Sequence, residues 1–329
     1  MNPEPAPSET DPYPDTRAGR DAWILARRTG IDRTVGLDPW RPSHWLRETE
    51  PDPLGGQARI LTVFLTNREC PWRCLMCDLW RHTLEETVPL GAVPAQVRIA
   101  REEDRLRASE PPRWLKLYNA GSFFDHRAIP REDLPGIARQ ARDFGRLVVE
   151  CHPGLVRDTT VLPFREALGA GTTLELALGL ETAHPGVLER LNKGVDLGGF
   201  RRAAEWTRNH GMDLRVFVLV RPPFLDEAEA LEWACRSIDF AFDCGAQTVS
   251  LIPTRAGNGA LEWLAARGQF APPRPETLEA ALAHGLGLDR GRVFADTWDL
   301  DRLEPDPVRR ESLRRRLEEA NRTQRMRSV

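Results

Sequence analysis

Lysine is almost missing from this chain. Of its 46 basic residues only Lys116 and Lys193 are lysines, a bias that most simply reflects coding composition, so the abundant arginine is no sign of nucleic-acid binding. Long apolar runs are missing as well. None approaches the roughly 20 residues of a membrane span, and the N-terminus MNPEPAPSETDPYPD lacks the basic-then-apolar order of a signal peptide. A cytoplasmic protein with no membrane partner is expected. The formal net charge of −3 excludes a wholesale polycation. Cysteine is scarce, six in 329 residues, which excludes a disulfide-stapled scaffold. In a reducing compartment these residues are expected as thiols or metal ligands.

What is present points to an α/β protein. Hydrophobic residues make up 41% of the chain, enough for a sizeable core, and the length allows one large domain with appendages or two domains. Residues 1–20 read as a disordered Pro-rich tail. Residues 21–56 read as an N-terminal extension, a helix and irregular backbone whose Trp23, Trp40 and Trp45 pack onto the main body. Over 57–260 short branched apolar runs recur at Ile60–Thr66, Trp114–Tyr118, Leu147–Glu150, Thr173–Leu180, Asp213–Val220 and Thr248–Ile252. Amphipathic segments at 94–108, 130–144, 157–169, 185–210 and 226–244 separate them. This is the pattern of parallel βα units with both strand faces buried, in a barrel or a doubly wound sheet. Either architecture puts its ligands at the carboxyl ends of the strands. Residues 261–329 form a C-terminal extension ending in an Arg-rich helix, with eight Arg against three Glu from Arg309 onward. Its two readings are a solvated amphipathic helix and a contact to RNA.

Three cysteines, Cys70, Cys74 and Cys77, follow the first of these strands in the spacing C-x3-C-x2-C. Three thiolates on one loop can hold three corners of a [4Fe–4S] cluster and leave one iron open. The alternative is a structural zinc site, for which His82 is the nearby candidate fourth ligand. Cys235 and Cys244, nine apart on an amphipathic segment, read as core thiols. Other strand ends are polar or glycine-rich: Asn119, Gly121 and Ser122; Glu150, Cys151 and His152; Glu181 and then Lys193; Arg221; and Arg255. Arg221 and Arg255 read equally as carboxylate recognition and as rim salt bridges.

The cysteine loop resembles the radical S-adenosylmethionine (radical SAM) superfamily, although Met76 stands where most members carry an aromatic residue. The resemblance implies an α/β fold, a partial parallel (β/α)6 barrel with N- and C-terminal extensions. It also implies that SAM chelates the open iron, and that an electron donor such as flavodoxin or ferredoxin drives formation of a 5′-deoxyadenosyl radical. Cys70, Cys74 and Cys77 are then the cluster ligands, and Asn119, Gly121, Ser122, Glu150, Glu181, Lys193 and Arg221 the cofactor-binding set. Asn119 or Ser122 replaces the acidic residue usual at the SAM amino group. In the elongator-catalytic-subunit-like branch the residue matching Glu181 meets the SAM ribose, and a basic residue at the Lys193 position lies near the SAM carboxylate. Cys151 and His152 are the expected catalytic pair.

The ordered phrases RECPWRCLMCDLW, KLYNAGSFFD, VVECHP, LGLET with LNK, and FVLVRPPF further resemble the archaeosine-biosynthesis radical SAM family and its bacterial relatives. That resemblance implies a carbon–nitrogen lyase acting with a partner enzyme on a lysine-modified 7-deazaguanine in tRNA. Two other readings stay open: a radical SAM enzyme for a free small metabolite, and a zinc-stabilised binding protein.

Overall fold

The computed structural model describes residues 12–326. Its centre is one eight-stranded sheet in which spatial order follows chain order: β1 (His44–Pro51), β2 (Gln57–Leu65), β3 (Trp114–Asn119), β4 (Arg146–Cys151), β5 (Thr173–Glu181), β6 (Asp213–Val220), β7 (Thr248–Pro253) and β8 (Arg292–Ala295). From β2 to β8 all neighbours pair in parallel, because a helical crossover returns the chain after each strand. The sheet curls into a partial barrel with the helices on its outer face. Helix Ala92–Arg107 shows why they sit there. It turns Val93, Val97 and Ala100 inward, where they join Leu61 and Leu115 in one core.

All six expected strands are present, with one more at each side. β8 adds a seventh parallel strand, and β1 pairs antiparallel to β2 with His44 opposite Phe64. The expectation of a helix plus irregular backbone over 21–56 therefore missed a strand. HWLRETEP alternates, but its inward residues include Glu48 and Glu50, and acidic residues do not advertise a buried face. Their partners come from other strands. Lys116 on β3 donates to Glu48 at 2.8 Å and Glu50 at 2.5 Å, and Arg215 on β6 reaches Glu50 and Glu175 at 2.7 Å each. Arg146 on β4 reaches Glu175 at 2.6 Å and Asp213 at 2.5 Å. Burial alone would raise the Glu50 carboxyl, but Arg215 and Lys116 outweigh it and hold the group well below the usual carboxylate range. An ionic layer thus crosses the barrel interior, and Lys116 is buried within it.

The C-terminal helix, Pro307–Thr323, buries Leu313, Leu317 and Ala320 and contacts both β1 and β8. It also caps the open edge of β8. Asn321 and Gln324 accept from the Ala295 and Val293 amides at 2.8 and 2.7 Å, and return bonds to the same residues' carbonyls at 2.8 and 3.0 Å. Side-chain amides thereby satisfy an edge that would otherwise pair with another chain. Arg309, Arg315, Arg316 and Arg322 are each ion-paired to a carboxylate. That pattern supports the amphipathic reading of the helix over the RNA contact.

The expected disordered tail is only partly testable, since residues 1–11 lie outside the described residues. The rest of it is ordered. Tyr13 donates to the Arg190 carbonyl at 2.6 Å and packs edge-on to Trp23 at 5.0 Å, and Thr16 caps the helix Arg17–Arg27. Trp23 is buried as expected. Trp40 is 44% exposed and is not a packing residue in the same sense.

Candidate active site

The cysteine loop begins where β2 ends, and two asparagines from distant loops hold it. Asn192, beyond β5, donates to the Arg73 carbonyl at 2.8 Å, and the Leu75 amide donates to the Leu191 carbonyl at 2.9 Å. Asn258, beyond β7, donates to the Leu75 carbonyl at 2.7 Å and the Cys77 carbonyl at 3.3 Å. Asn192 falls within the phrase LNK, but neither residue was given a role from the sequence, because a single Asn in a loop carries no spacing signal. Glu69 adds an ionic anchor, meeting Arg28, Arg33 and Arg73 at 2.6, 2.9 and 3.0 Å. Met76 packs beside Leu75 and against the Val187–Leu191 cluster, so its flexible thioether fills the place of an aromatic residue.

Cys70, Cys74 and Cys77 are all half-buried free thiols. Burial pushes the Cys74 thiol up to about 12 and the other two upward as well, so a metal that bound them would release protons. Among the described residues no three His, Cys, Asp or Glu side chains converge to hold a single ion. A structural zinc would call for such convergence; its candidate fourth ligand, His82, has Nδ1 2.7 Å from the Thr34 hydroxyl. A cubane makes a different demand, since each of its thiolates takes a separate corner.

The strand ends around the loop meet the sequence expectations unequally. Gly121 packs so closely that a Cβ there would lie 3.1 Å from the Cys70 Cβ. Asn119 is 4% exposed, and neither its Oδ1 nor its Nδ2 has a partner. Such an orphaned amide is costly unless something else satisfies it. Ser122 is already spent, its hydroxyl accepting from the His152 amide at 3.0 Å and lying 3.7 Å from the Cys151 sulfur. Between the two candidates, Asn119 is the one left open.

Lys193 donates to Glu181 at 2.6 Å, both side chains being nearly buried. Burial disfavours the Lys193 charge, but Glu181 outweighs that and raises the group. β5 makes room for the pair: a Cβ on Gly179 would collide with the Glu181 carboxylate and stand 2.5 Å from the Lys193 nitrogen. Glu181, Asn192 and Arg221 all adopt left-handed φ, 68°, 59° and 56°. Each costs about 1–3 kcal/mol, and such strain gathers at functional sites.

Cys151 and His152 are placed beside the loop but are engaged. Burial pushes the Cys151 thiol up to about 12, and its sulfur lies 3.3 Å from the His152 carbonyl. His152 accepts from the Gly154 amide at Nδ1 (3.0 Å) and lies 3.0 Å from the Lys193 carbonyl at Nε2, which assigns the Nε2–H tautomer. Burial lowers its pKa to about 3. No free nitrogen remains to move a proton. Arg221 bonds Glu227 and the Pro272 carbonyl, and Arg255 bonds Asp296 at 2.9 Å; both are rim ion pairs. Cys235 is half-buried and Cys244 buried, away from the loop.

No protein-family model matches the chain. Over 230 residues it is 30% identical to archaeosine synthase subunit beta of Methanosarcina acetivorans, covering 67% of this chain and 64% of that protein. The match thus spans a little under two thirds of the relative's length. The fold is similar to that of methylornithine synthase (TM-score 0.53, 14% identity, 78% of this chain and 68% of that one). It is also similar to that of Elp3 from the archaeon Methanocaldococcus infernus (TM-score 0.51, 16% identity, 72% and 56%).

The chain belongs to the radical SAM superfamily. A radical SAM protein must seat a zwitterionic amino acid beside its cysteine loop, and these residues fit that demand. The Asn119 amide offers an unpaired donor and acceptor, and Gly121 brings the backbone of the same turn against Cys70.

A cavity of about 430 Å³ opens next to this radical SAM motif, with Asn119 and Glu150 among its lining residues. Burial raises the Glu150 carboxyl to about 8, against a smaller opposing effect of Lys193. Neither Cys151 nor His152 lines the cavity.

Proposed function

We propose that this chain is a radical SAM enzyme that acts on a modified 7-deazaguanine nucleoside in tRNA as a carbon–nitrogen lyase. The observation that carries the enzymatic reading is the orphaned Asn119 amide, in the turn that Gly121 brings against Cys70, together with the buried Glu181–Lys193 pair at the end of β5. The substrate rests on the likeness to archaeosine synthase subunit beta.

Cys70, Cys74 and Cys77 would hold the [4Fe–4S] cluster. Bound there with SAM and given one electron, the cluster supplies reductive cleavage of the sulfonium and a 5′-deoxyadenosyl radical that abstracts a substrate hydrogen. The remaining work belongs to the chain. Asn119 binds the SAM amino acid, Glu181 accepts from the ribose hydroxyls, and Lys193 orients Glu181 while placing a positive charge toward the SAM carboxylate. Gly179 leaves space for that pair. Cys151 and His152 act as positioning residues, since His152 fixes the loop from below without exchanging a proton. An acidic one-electron carrier of the flavodoxin or ferredoxin kind supplies the electron.

The test is incubation of anaerobically reconstituted protein with SAM, reductant and tRNA bearing the lysine-modified base, with nucleosides read by mass spectrometry. Loss of the lysine carbon skeleton, leaving an amidine on the base, supports the lyase. SAM turnover with untouched tRNA contradicts the tRNA substrate and favours a free metabolite.

A further inference from the structure

We propose that the cavity at the ends of β2, β3 and β4 is the seat of the substrate base, and that Glu150 reads a planar heterocycle presenting two adjacent N–H donors. The inference rests on the radical SAM reading and extends it to the residues that choose the substrate.

The cavity is walled by four rings from four separate elements of the chain. Phe64 on β2 lies 6.0 Å from His44 on β1, 6.2 Å from Tyr118 on β3 and 5.8 Å from Trp298 beyond β8, measured between ring centroids. Its volume, about 430 Å³, falls within the roughly 300–1,000 Å³ typical of small-molecule sites. Flat aromatic walls accept a flat ligand by stacking. Trp298 is 52% exposed and forms the outer wall. It is held by its own backbone: its amide donates to Asp296 at 3.0 Å and its carbonyl accepts from Arg255 at 2.5 Å. The Arg255–Asp296 pair at the rim therefore positions a ring and is not spent on the ligand.

Amid these apolar walls Glu150 makes no side-chain hydrogen bond or ion pair among the described residues, although it lies near Lys193. The Glu150 side chain is half-buried and borders the cavity, where a ligand that displaces water must supply the donors its carboxyl loses. Two neighbouring N–H groups on a ligand meet both oxygens of the ionised carboxylate, and their donation offsets the burial that otherwise favours the protonated group. The N1–H and N2–H edge of a guanine-type base does so, and 7-deazaguanine keeps that edge. An adenine-type edge sets a donor beside an acceptor, leaves one oxygen of the carboxylate opposed and matches only the protonated group, so the preference is read above pH 8. Asn119 lines the same cavity, so a base seated there adjoins the SAM subsite.

Calorimetric titration of the reconstituted full chain, saturated with SAM, tests this with 7-deazaguanosine and 7-deazaadenosine as probes. The expected result is binding of 7-deazaguanosine alongside SAM, about tenfold or more tighter than 7-deazaadenosine, with Glu150→Gln abolishing the preference. Trp298→Ala, at an exposed position that does not threaten folding, is expected to weaken both nucleosides by about tenfold. Equal affinity for the two nucleosides, displacement of 7-deazaguanosine by SAM, or a preference unchanged in Glu150→Gln overturns the inference. Formation of 5′-deoxyadenosine by the wild-type chain without nucleoside is measured separately. If it occurs while the cavity fails to discriminate, only this inference falls; if it is absent, the radical SAM reading falls with it.

Discussion

Trp72 lies face to face with His152, their ring centroids 3.7 Å apart and their planes 13° from parallel. The stack ties the middle of the cysteine loop to the end of β4, and it holds only while His152 keeps both ring nitrogens in their present bonds. Burial lowers this histidine to about 3 from its ordinary 6.5. Above pH 6.5 the folded and unfolded chains are both neutral here, and the group adds nothing to pH dependence. As pH falls from 6.5 toward 3 the unfolded chain holds the extra proton, so stability declines through that window. Ring-nitrogen NMR of the His152 imidazole is expected to show the neutral Nε2–H form unchanged down to pH 5. A midpoint near 6.5 would contradict the buried stack.

Gly179 is expected to tolerate no side chain. Gly179→Ala puts a methyl group against the Glu181–Lys193 pair, which cannot yield without losing its 2.6 Å contact. Overpacking of this kind costs roughly 1–3 kcal/mol. The expected outcome is a folded protein whose SAM affinity, measured by equilibrium dialysis, falls about tenfold or more.

Asn119 separates binding from stability. Its buried amide has no partner in the chain, so Asn119→Ala removes an unsatisfied group and should leave the urea midpoint unchanged or raised. SAM affinity should nonetheless fall by about 1–3 kcal/mol, the loss expected when a ligand's hydrogen-bond partner is removed. A variant that lost stability and kept SAM affinity would assign Asn119 to the core.

Lys116 makes the opposite prediction. Buried beside Glu48 and Glu50, it neutralises a carboxylate, Glu50, that is itself buried, and truncating one member of such a set costs about 3–5 kcal/mol. Lys116→Ala should therefore show a markedly lower urea midpoint. A loss below about 1 kcal/mol would show that the ionic layer rearranges freely.

The parallel strands and the cysteine loop were legible because both are local patterns: apolar runs of strand length, and three thiols within eight residues. β1 was not, since Glu48 and Glu50 face the barrel interior and are neutralised by Lys116 and Arg215, far away in sequence. The same reason hid the cavity. Phe64 and Tyr118 lie on recognised strands, but His44 belongs to the unrecognised one and Trp298 to a loop after β8. Tyr13 was assigned to a disordered tail on composition, yet one ring contact with Trp23 and one bond to Arg190 order that segment. Asn192 and Asn258, which carry the cysteine loop, act through hydrogen bonds to its backbone, one from Asn192 and two from Asn258, a role no residue pattern encodes.

Cys70, Cys74 and Cys77 are proposed to hold together the cluster that drives SAM cleavage. The most direct measurement is iron content and 5′-deoxyadenosine yield, side by side, for the wild-type chain and Cys74→Ala after anaerobic reconstitution and reduction. The account predicts about four irons per wild-type chain with 5′-deoxyadenosine formed, and loss of both in Cys74→Ala. Undiminished SAM cleavage by Cys74→Ala would contradict it.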